Sequence, residues 1–417
     1  MPAGRHFGGG AGSIDSSGNT VTINQTSRGV VNWDSFSIGG GNCVVFANGN
    51  GATLNRVTGG PPSVILGSLT ASGSVYLINP QGVLVGPGGT ISTNGRFVAS
   101  TLDADNTAFM NGGPLTLSGN SNAAVINLGS ISSSGDDVFL VARNSVVNMG
   151  SVSAPNGTAE LSTGQQVLLQ DSSSSKQVFV QAGNGGTVVP GGTIEAKGGT
   201  VDMSADTFVF PFGGTTVNAP QWNISTPAFT VNSGEAQVLS ANLGNDTSVN
   251  VQNTGANGSG GDINVNSGIN WQGNASLTLA AYHSLATGRG VTIANQDGGN
   301  LTLRADAAGL DNGGSITNRG VIDWSRSTGI VNALSLYDMN GTYSAGTLPA
   351  NSAWAAAPGS GQVTQITAYK LVNNVADRQS GHAFHRAVRR SVAQRAQRQR
   401  AVQIADFTQY FSAVSSA

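Results

Sequence analysis

Paired carboxylates are the groups in this chain best suited to chemistry. Asp103 with Asp105, Asp136 with Asp137, and Asp306 with Asp311 have the makings of acid–base or cation-binding sites, if folding sets them beside Arg or Lys on one surface. None of these pairs recurs along the sequence with a basic partner at a fixed offset, so no catalytic residue is assigned. The segment GSGGDINVN around Asp262 imitates one calcium-binding nonapeptide, but that chemistry needs tandem copies whose neighbouring turns share the ion. His6, His283, His382 and His385 show no metal-ligand pairing with the single cysteine, Cys43. No metal or cofactor is therefore expected. Cys43 sits in the apolar run CVVFA and reads as a small buried hydrophobe.

The elements that would have to position such groups are set by composition. The 417 residues include 60 glycines, only 10% charged residues and 38% hydrophobic residues, against ordinary usages of about 7% glycine and about 25% charge. A disordered polyelectrolyte is excluded, because disorder goes with low hydrophobicity and high charge. No apolar run approaches the roughly 20 residues of a membrane-spanning helix. The opening MPAGRHFGGGAGSIDSSGN lacks the basic and apolar regions of a secretory leader, and Met1 is expected to mark a truncated start.

Internal repetition gives the architecture. Val125-Ile126-Asn127-Leu128-Gly129-Ser130-Ile131 returns 21 residues later as Val146-Val147-Asn148-Met149-Gly150-Ser151-Val152. The same offset relates Val138-Phe139-Leu140 to Ala159-Glu160-Leu161, and Val146-Val147 to Val167-Leu168. A second pair, INVNSGINW ending at Trp271 and ITNRGVIDW ending at Trp324, lies 53 residues apart, with LTLAA at Leu277 and LTLRA at Leu301 near or between them. A period near 21 fits one coil of a β-helix, three short strands and three turns. Alternation then sends Val, Ile, Leu and Phe inward and Thr, Ser, Asn and Gln outward, so each coil buries its face by stacking on the next. Pro211, Pro220 and Pro227 mark residues 206 to 230 as an excursion or edge segment. Helices are nearly absent from this body.

The densest strand-and-turn pattern runs from Leu54 to Thr101, LNRVTGGPPSVILGSLTASGSVYLINPQGVLVGPGGTISTNGRFVAST, after INQTSRGVVNWDSFSIG from Ile23 to Gly39. Asn79-Pro80-Gln81-Gly82 has type I turn chemistry, with Asn first, Pro second and Gly fourth. This block resembles the N-terminal two-partner secretion domain of filamentous-haemagglutinin-like exoproteins. The matching turn of that family reads Asn-Pro-Asn-Gly, usually followed by Ile, and is tied to secretion; this chain departs from it at Gln81 and Val83, and Gln suits a residue with positive φ less well than Asn. Asn55-Arg56-Val57 matches the family's other recurrent element, and Gln25, Trp33, Phe36 and Gly39 complete the match. Trp33 and Phe36 read as packing residues, and Arg56, one of only 19 basic residues, as a solvated charge at a coil edge or a charge with an assigned partner.

The resemblance implies a right-handed parallel β-helix, all-β apart from its tail, and a secreted or cell-surface protein, given a leader upstream. It also implies recognition of Asn55, Arg56, Asn79, Pro80, Gln81 and Gly82 by an outer-membrane transporter with periplasmic domains. The expected organisation is a secretion domain over 1–250, further coils over 251–342, a linker and last strand over 343–376, and a basic helical tail over 377–417. That tail carries seven arginines and two aspartates, leaving seven net negative charges elsewhere, and Ile404, Phe407, Phe411 and Val414 share one helical stripe. It reads as a helix that packs on or caps the solenoid; its arginines could contact phosphates, but no nucleic-acid module accompanies them. The expected function is that of an exported passenger acting as a surface adhesin towards a host glycan or protein. A β-helical carbohydrate-active enzyme is the alternative.

Overall fold

A computed structural model describes residues 1–169, 179–181, 186–212, 214–256, 259–307, 314–336 and 362–369. The linker 345–361, the arginine-rich tail with His382 and His385, and Asp311 lie outside these residues. The body is a right-handed parallel β-helix, the hand expected of strand-to-parallel-strand crossovers. A 14-stranded sheet runs its full length, from Ala3–Gly9 to Gln362–Tyr369. A nine-stranded second sheet extends from Gly12–Ser17 to Thr215–Asn218, and a six-stranded third sheet from Ser63–Ile65 to Thr207–Phe208. Beyond residue 228 shorter sheets of four and three strands, beginning with Phe229–Val231 and Ile269–Trp271, take over the other faces.

Inward alternation builds the core. Along the long sheet Phe97, Val138, Ala159, Val201, Trp222, Val249, Leu277, Leu301 and Val331 stand in consecutive register, all buried. Val125 stacks on Val146 and Leu140 on Leu161, as the 21-residue offset requires. Turns are joined by buried asparagines: the Asn127 amide donates to Asn148 Oδ1 at 2.7 Å, and the Asn148 amide to the Gly191 carbonyl at 2.6 Å.

Elsewhere the repeat behaves differently from its sequence. Val146-Val147 is followed in register by Val188-Val189, twice the short offset away, because the chain leaves the coil after Thr163. Val167 and Leu168 lie instead on the strand Gln166–Leu169, antiparallel to Leu115–Ser118, in a separate four-stranded sheet. The 53-residue pair spans two coils, with Asn295 between Trp271 and the level of Trp324; the indoles still meet edge-to-face at 5.5 Å. Residues 206 to 230 are not wholly an excursion. Gln221–Thr226 is an interior strand of the long sheet, and Pro220 and Pro227 flank it in the turns, where no ladder hydrogen bond is lost.

Two devices protect the ends of sheets. Ala3–Gly9 and Gly12–Ser17 pair antiparallel with the first coil and cover its edge. The helix Ser233–Gly244 stands beside the last strand of the second sheet, where Asn242 accepts from Val217 N at 2.7 Å and donates to the Thr215 carbonyl at 2.8 Å. It also buries Val238, Leu239 and Leu243 in the core. The Glu235 carboxylate accepts from the Asn232 backbone N–H at 3.0 Å, half of a capping box.

The outer face of the long sheet is apolar in its first half. Leu54, Tyr76, Val98 and Phe139 point away from the coil interior and pack under the helix Asn106–Asn111 and the antiparallel strands, with Phe109, Leu115, Leu117, Val167 and Leu169. These strands are buried on both faces and therefore read as continuous apolar runs. Charge enters the same layer. Arg96 and Asp137 each precede a strand of the long sheet; they lie on successive coils and form a buried ion pair at 2.7 Å, with Asp136 at 3.6 Å. The Arg96 guanidinium also lies over the Phe139 ring at 5.1 Å. Burial pushes the Asp136 carboxyl up to about 6. Glu160, in register between Phe139 and Asp202 and 1% exposed, leaves Oε2 without a hydrogen-bond partner. Its burial, with the Asp202 and Asp137 charges added, raises its pKa well above the ordinary carboxylate range.

Because the folded-state pKa is the higher one, the contribution of Glu160 to stability is fully present below the unfolded value and is lost as pH rises through the folded value. Thermal unfolding from pH 4.5 to 8 should therefore show a falling melting temperature. Glu160→Gln, which keeps the shape without the charge, should flatten that fall and exceed the wild type at pH 8; parallel profiles would show that Glu160 does not titrate in the fold.

Candidate functional site

The Asn79-Pro80-Gln81-Gly82 segment forms the tight turn its residues specify, with Gly82 N–H donating to the Asn79 carbonyl at 2.9 Å. Asn79 is fully buried. Its amide donates to the Pro61 carbonyl at 3.1 Å and Ser63 Oγ at 3.0 Å, while Oδ1 accepts from Gln81 N–H at 2.9 Å. The Pro80 carbonyl accepts from the Ser121 hydroxyl, and the Gly82 carbonyl from Ser63 N–H at 2.9 Å. The turn thus ties together three successive coils and leaves the Gln81 side chain exposed. Positive φ falls on Gly82, at 111°, and not on Gln81, because the third residue of a type I turn keeps φ negative. Glutamine is therefore unstrained where the family pattern has asparagine.

Asn55 and Arg56 are consecutive on the strand Ala52–Val57 and so face opposite ways. Asn55 points into the coil, where Oδ1 accepts from Trp33 Nε1 at 3.0 Å and the amide donates to the Tyr76 carbonyl at 3.3 Å. Trp33 is fully buried and meets Phe36 edge-to-face at 5.4 Å. Gln25 accepts from the Thr53 hydroxyl at 2.5 Å in the same interior. Arg56 points outward but is not a solvated edge charge. Its Nε lies 2.8 and 3.0 Å from the two Asp103 oxygens, Nη1 donates to Asn106 Oδ1 at 2.6 Å, and Nη2 to the Ala104 carbonyl at 2.6 Å. One guanidinium therefore fastens the start of the outer layer to the coil, with donors spent on a planar carboxylate and a fixed backbone. In register Arg56 lies beside Ile78, next to Asn79. The three motif residues are neighbours, but their side chains enter three separate environments.

The other sequence candidates are placed as follows. Asp103 is held by Arg56, and Asp105 caps the helix Asn106–Asn111 through Ala108 N–H at 2.8 Å. Asp136 and Asp137 do have a basic partner, Arg96. That pairing is hidden in the sequence because the outer layer lengthens this coil to 41 residues. Asp306 accepts from Gly314 N–H at 3.0 Å. Asp262 faces His283 Nδ1 at 2.7 Å and accepts from Ser284 N–H at 2.9 Å. Among the described residues no group of three or more His, Cys, Asp or Glu side chains is arranged to hold a metal, and no helix is long and apolar enough to cross a membrane. Cys43 is only partly buried. Val44 and Phe46 take the inward positions of its strand, which turns Cys43 outward.

A family model described as the TPS secretion domain matches residues 1–209. A heme/hemopexin-binding protein of Haemophilus influenzae (strain ATCC 51907 / DSM 11121 / KW20 / Rd) is 32% identical over 195 residues, 43% of this chain and 21% of that protein. A second heme/hemopexin-binding protein of Haemophilus influenzae is 42% identical over 88 residues, 20% of this chain and 9% of that protein. The chain spans about a fifth or less of the length of these relatives. Among solved structures, the HMW1 secretion domain from Haemophilus influenzae aligns with a TM-score of 0.52 at 22% identity, over 89% of this chain and 99% of that one, a likeness of fold. With half of its length matched by the family model and its coils built as a capped parallel β-helix, the protein belongs to the TPS secretion domain family of secreted exoproteins.

Proposed function

We propose that residues 1–209 serve as the export-recognition domain of a two-partner passenger, read by an outer-membrane transporter with periplasmic domains, and that the exported solenoid acts as a non-enzymatic surface adhesin. The observation that carries the reading is the turn at Asn79–Gly82. Its buried Asn79 ties the turn to the preceding coil, Ser121 ties Pro80 to the following one, and Gln81 is held out to solvent, as a presented recognition element needs. The non-enzymatic part is supported by the engagement of the paired carboxylates in structural bonds: Asp103 with Arg56, Asp105 at a helix N-terminus and Asp137 with Arg96. The adhesive part is supported by the exposed half of the long sheet. There Asn223, Asn250, Thr278 and Thr302 stand in consecutive register on the outer face, a ladder of donors and acceptors at about 4.8 Å spacing suited to a polar ligand such as a glycan.

Stability and recognition separate at this turn. With a leader supplied and the transporter coexpressed, Asn79→Ala should lower secretion and also cost about 1–3 kcal/mol of stability, since it removes both amide donors and the Gln81 N–H acceptor. Gln81→Ser should leave the melting temperature within a degree or two while still lowering secretion. Wild-type secretion by Gln81→Ser would confine the turn to a structural role. Arg56→Lys keeps the charge but loses the planar fork, and should open residues 101–112 to limited proteolysis before the coils themselves unfold.

A further inference from the structure

Past Phe139 the outer face of the long sheet turns from apolar to polar, and the change begins with charge. Glu160 follows Phe139 in register, Asp202 follows Glu160, and Asn223 follows Asp202. Residues paired in a parallel ladder share a side of the sheet, so two carboxylates occupy adjacent rungs of one face, about 4.8 Å apart. Like charges directly opposite each other destabilise a sheet. The pair therefore needs a compensating group.

No protein cation supplies it among the described residues. The charges acting on Glu160 there are those of Asp202 and Asp137, both negative. Arg96, on the same face, is committed to Asp137 at 2.7 Å and lies over the Phe139 ring at 5.1 Å. Glu160 is nevertheless 1% exposed, and its Oε2 has no hydrogen-bond partner. Ser162, two residues along the strand Ala159–Thr163 and hence on the same face, is fully buried, and its Oγ is likewise without a partner. A buried polar atom that makes no bond forfeits its bonds to water, so two of them side by side require an explanation.

Both atoms are oxygen ligands of the kind a hard cation takes. Asp202 is oriented for the same task. Its Oδ2 accepts from the Thr200 hydroxyl at 2.9 Å and its Oδ1 from the Asn223 amide at 2.6 Å. Those two bonds use two of about four lone-pair positions and fix the plane of the group, as outer partners do for a ligating carboxylate. Rung spacing selects the ion. An ion midway between rungs about 4.8 Å apart lies about 2.4 Å from an oxygen on each, within the calcium range of about 2.3–2.6 Å and beyond the roughly 2.0–2.1 Å that magnesium demands. Two carboxylates fall short of a cluster of three His, Cys, Asp or Glu ligands; the serine hydroxyl adds a third protein oxygen. Asp202 is only half-buried, which lets water complete a shell of about six to eight oxygens.

We propose that Glu160 and Asp202, with the Ser162 hydroxyl, bind one calcium ion on the outer face of the long sheet and so tie the coil of Ala159–Thr163 to that of Thr200–Ser204. Two protein charges place the affinity in the weak regime of extracellular calcium modules, about 0.1–1 mM. Calcium and a proton compete for Glu160.

The full chain, stripped with EGTA and held at pH 7.5, is titrated with calcium chloride, with magnesium chloride and, at matched ionic strength, with sodium chloride. Calcium at about 10 mM should raise the melting temperature by about 2 °C or more, and calorimetry should find a site that binds magnesium at least about 10-fold more weakly. Glu160→Gln keeps the shape without the charge and should lose the calcium shift, with binding weakened about 10-fold or more. Asp202→Asn should do the same; if it fails to fold, Glu160→Gln alone decides. Asp262→Asn, in the segment that imitates a calcium-binding nonapeptide, should keep the full response. A wild type indifferent to calcium, a response that magnesium or sodium reproduces, a response that survives Glu160→Gln, or one that Asp262→Asn abolishes would each overturn the assignment.

Discussion

A coil of three short strands cannot bury its own apolar face, so each strand depends on backbone hydrogen bonds and side-chain columns supplied by the coils before and after it. In-register parallel stacking therefore governs the rest of the protein. It explains why like residues sit over like, Val125 over Val146 and Leu277 over Leu301, and why asparagines recur at turns where one amide can serve the next coil. It also makes the ends the vulnerable places. The N-terminal edge is covered by antiparallel strands, and the second sheet is closed by a helix whose Asn242 bonds the last exposed strand.

The same constraint leaves the corners free. Material can be inserted between two strands without disturbing the ladder, provided that the chain returns to register. Between Ser100 and Ala124 the chain leaves to form a helix and the first strands of the outer layer, and after Thr163 it leaves again to add to that layer. Scarce charges are spent at these departures. Arg56 binds the first excursion to the coil, and Arg96 bridges the coil that the excursion lengthens. Both pairs are partly or wholly withdrawn from water, where losing one partner is far more damaging than the pair itself is stabilising.

Chemical variety in this fold lies on the outer faces. The interior columns are mostly aliphatic along the described coils, while the outside changes from covered and apolar, to hydroxyl-bearing, to open and aliphatic, to a polar ladder of Asn and Thr. A single solenoid therefore joins the half matched by the family model to a half with a polar outer face, with no domain boundary between them in the core.

The coil, its parallel stacking and the 21-residue register were legible in the sequence because period-2 alternation and short offsets are local properties. The turn at Asn79–Gly82 was legible for the same reason, since Asn, Pro and Gly fix a four-residue conformation by their own chemistry. The roles of the site residues were not. That Arg56 grips Asp103 and that Arg96 meets Asp137 across 41 residues depends on excursions of irregular length, which erase any constant spacing. Val167-Leu168 kept the expected offset from Val146-Val147 and still left the coil, because its apolar residues are satisfied equally well on the outer layer. The Ser233–Gly244 helix had a local signal in Asn232 and Glu235, but its place at the end of the second sheet did not. Sequence periodicity determined what each coil is; only the tertiary structure decided which outer faces are covered, because that depends on where the inserted segments return to pack.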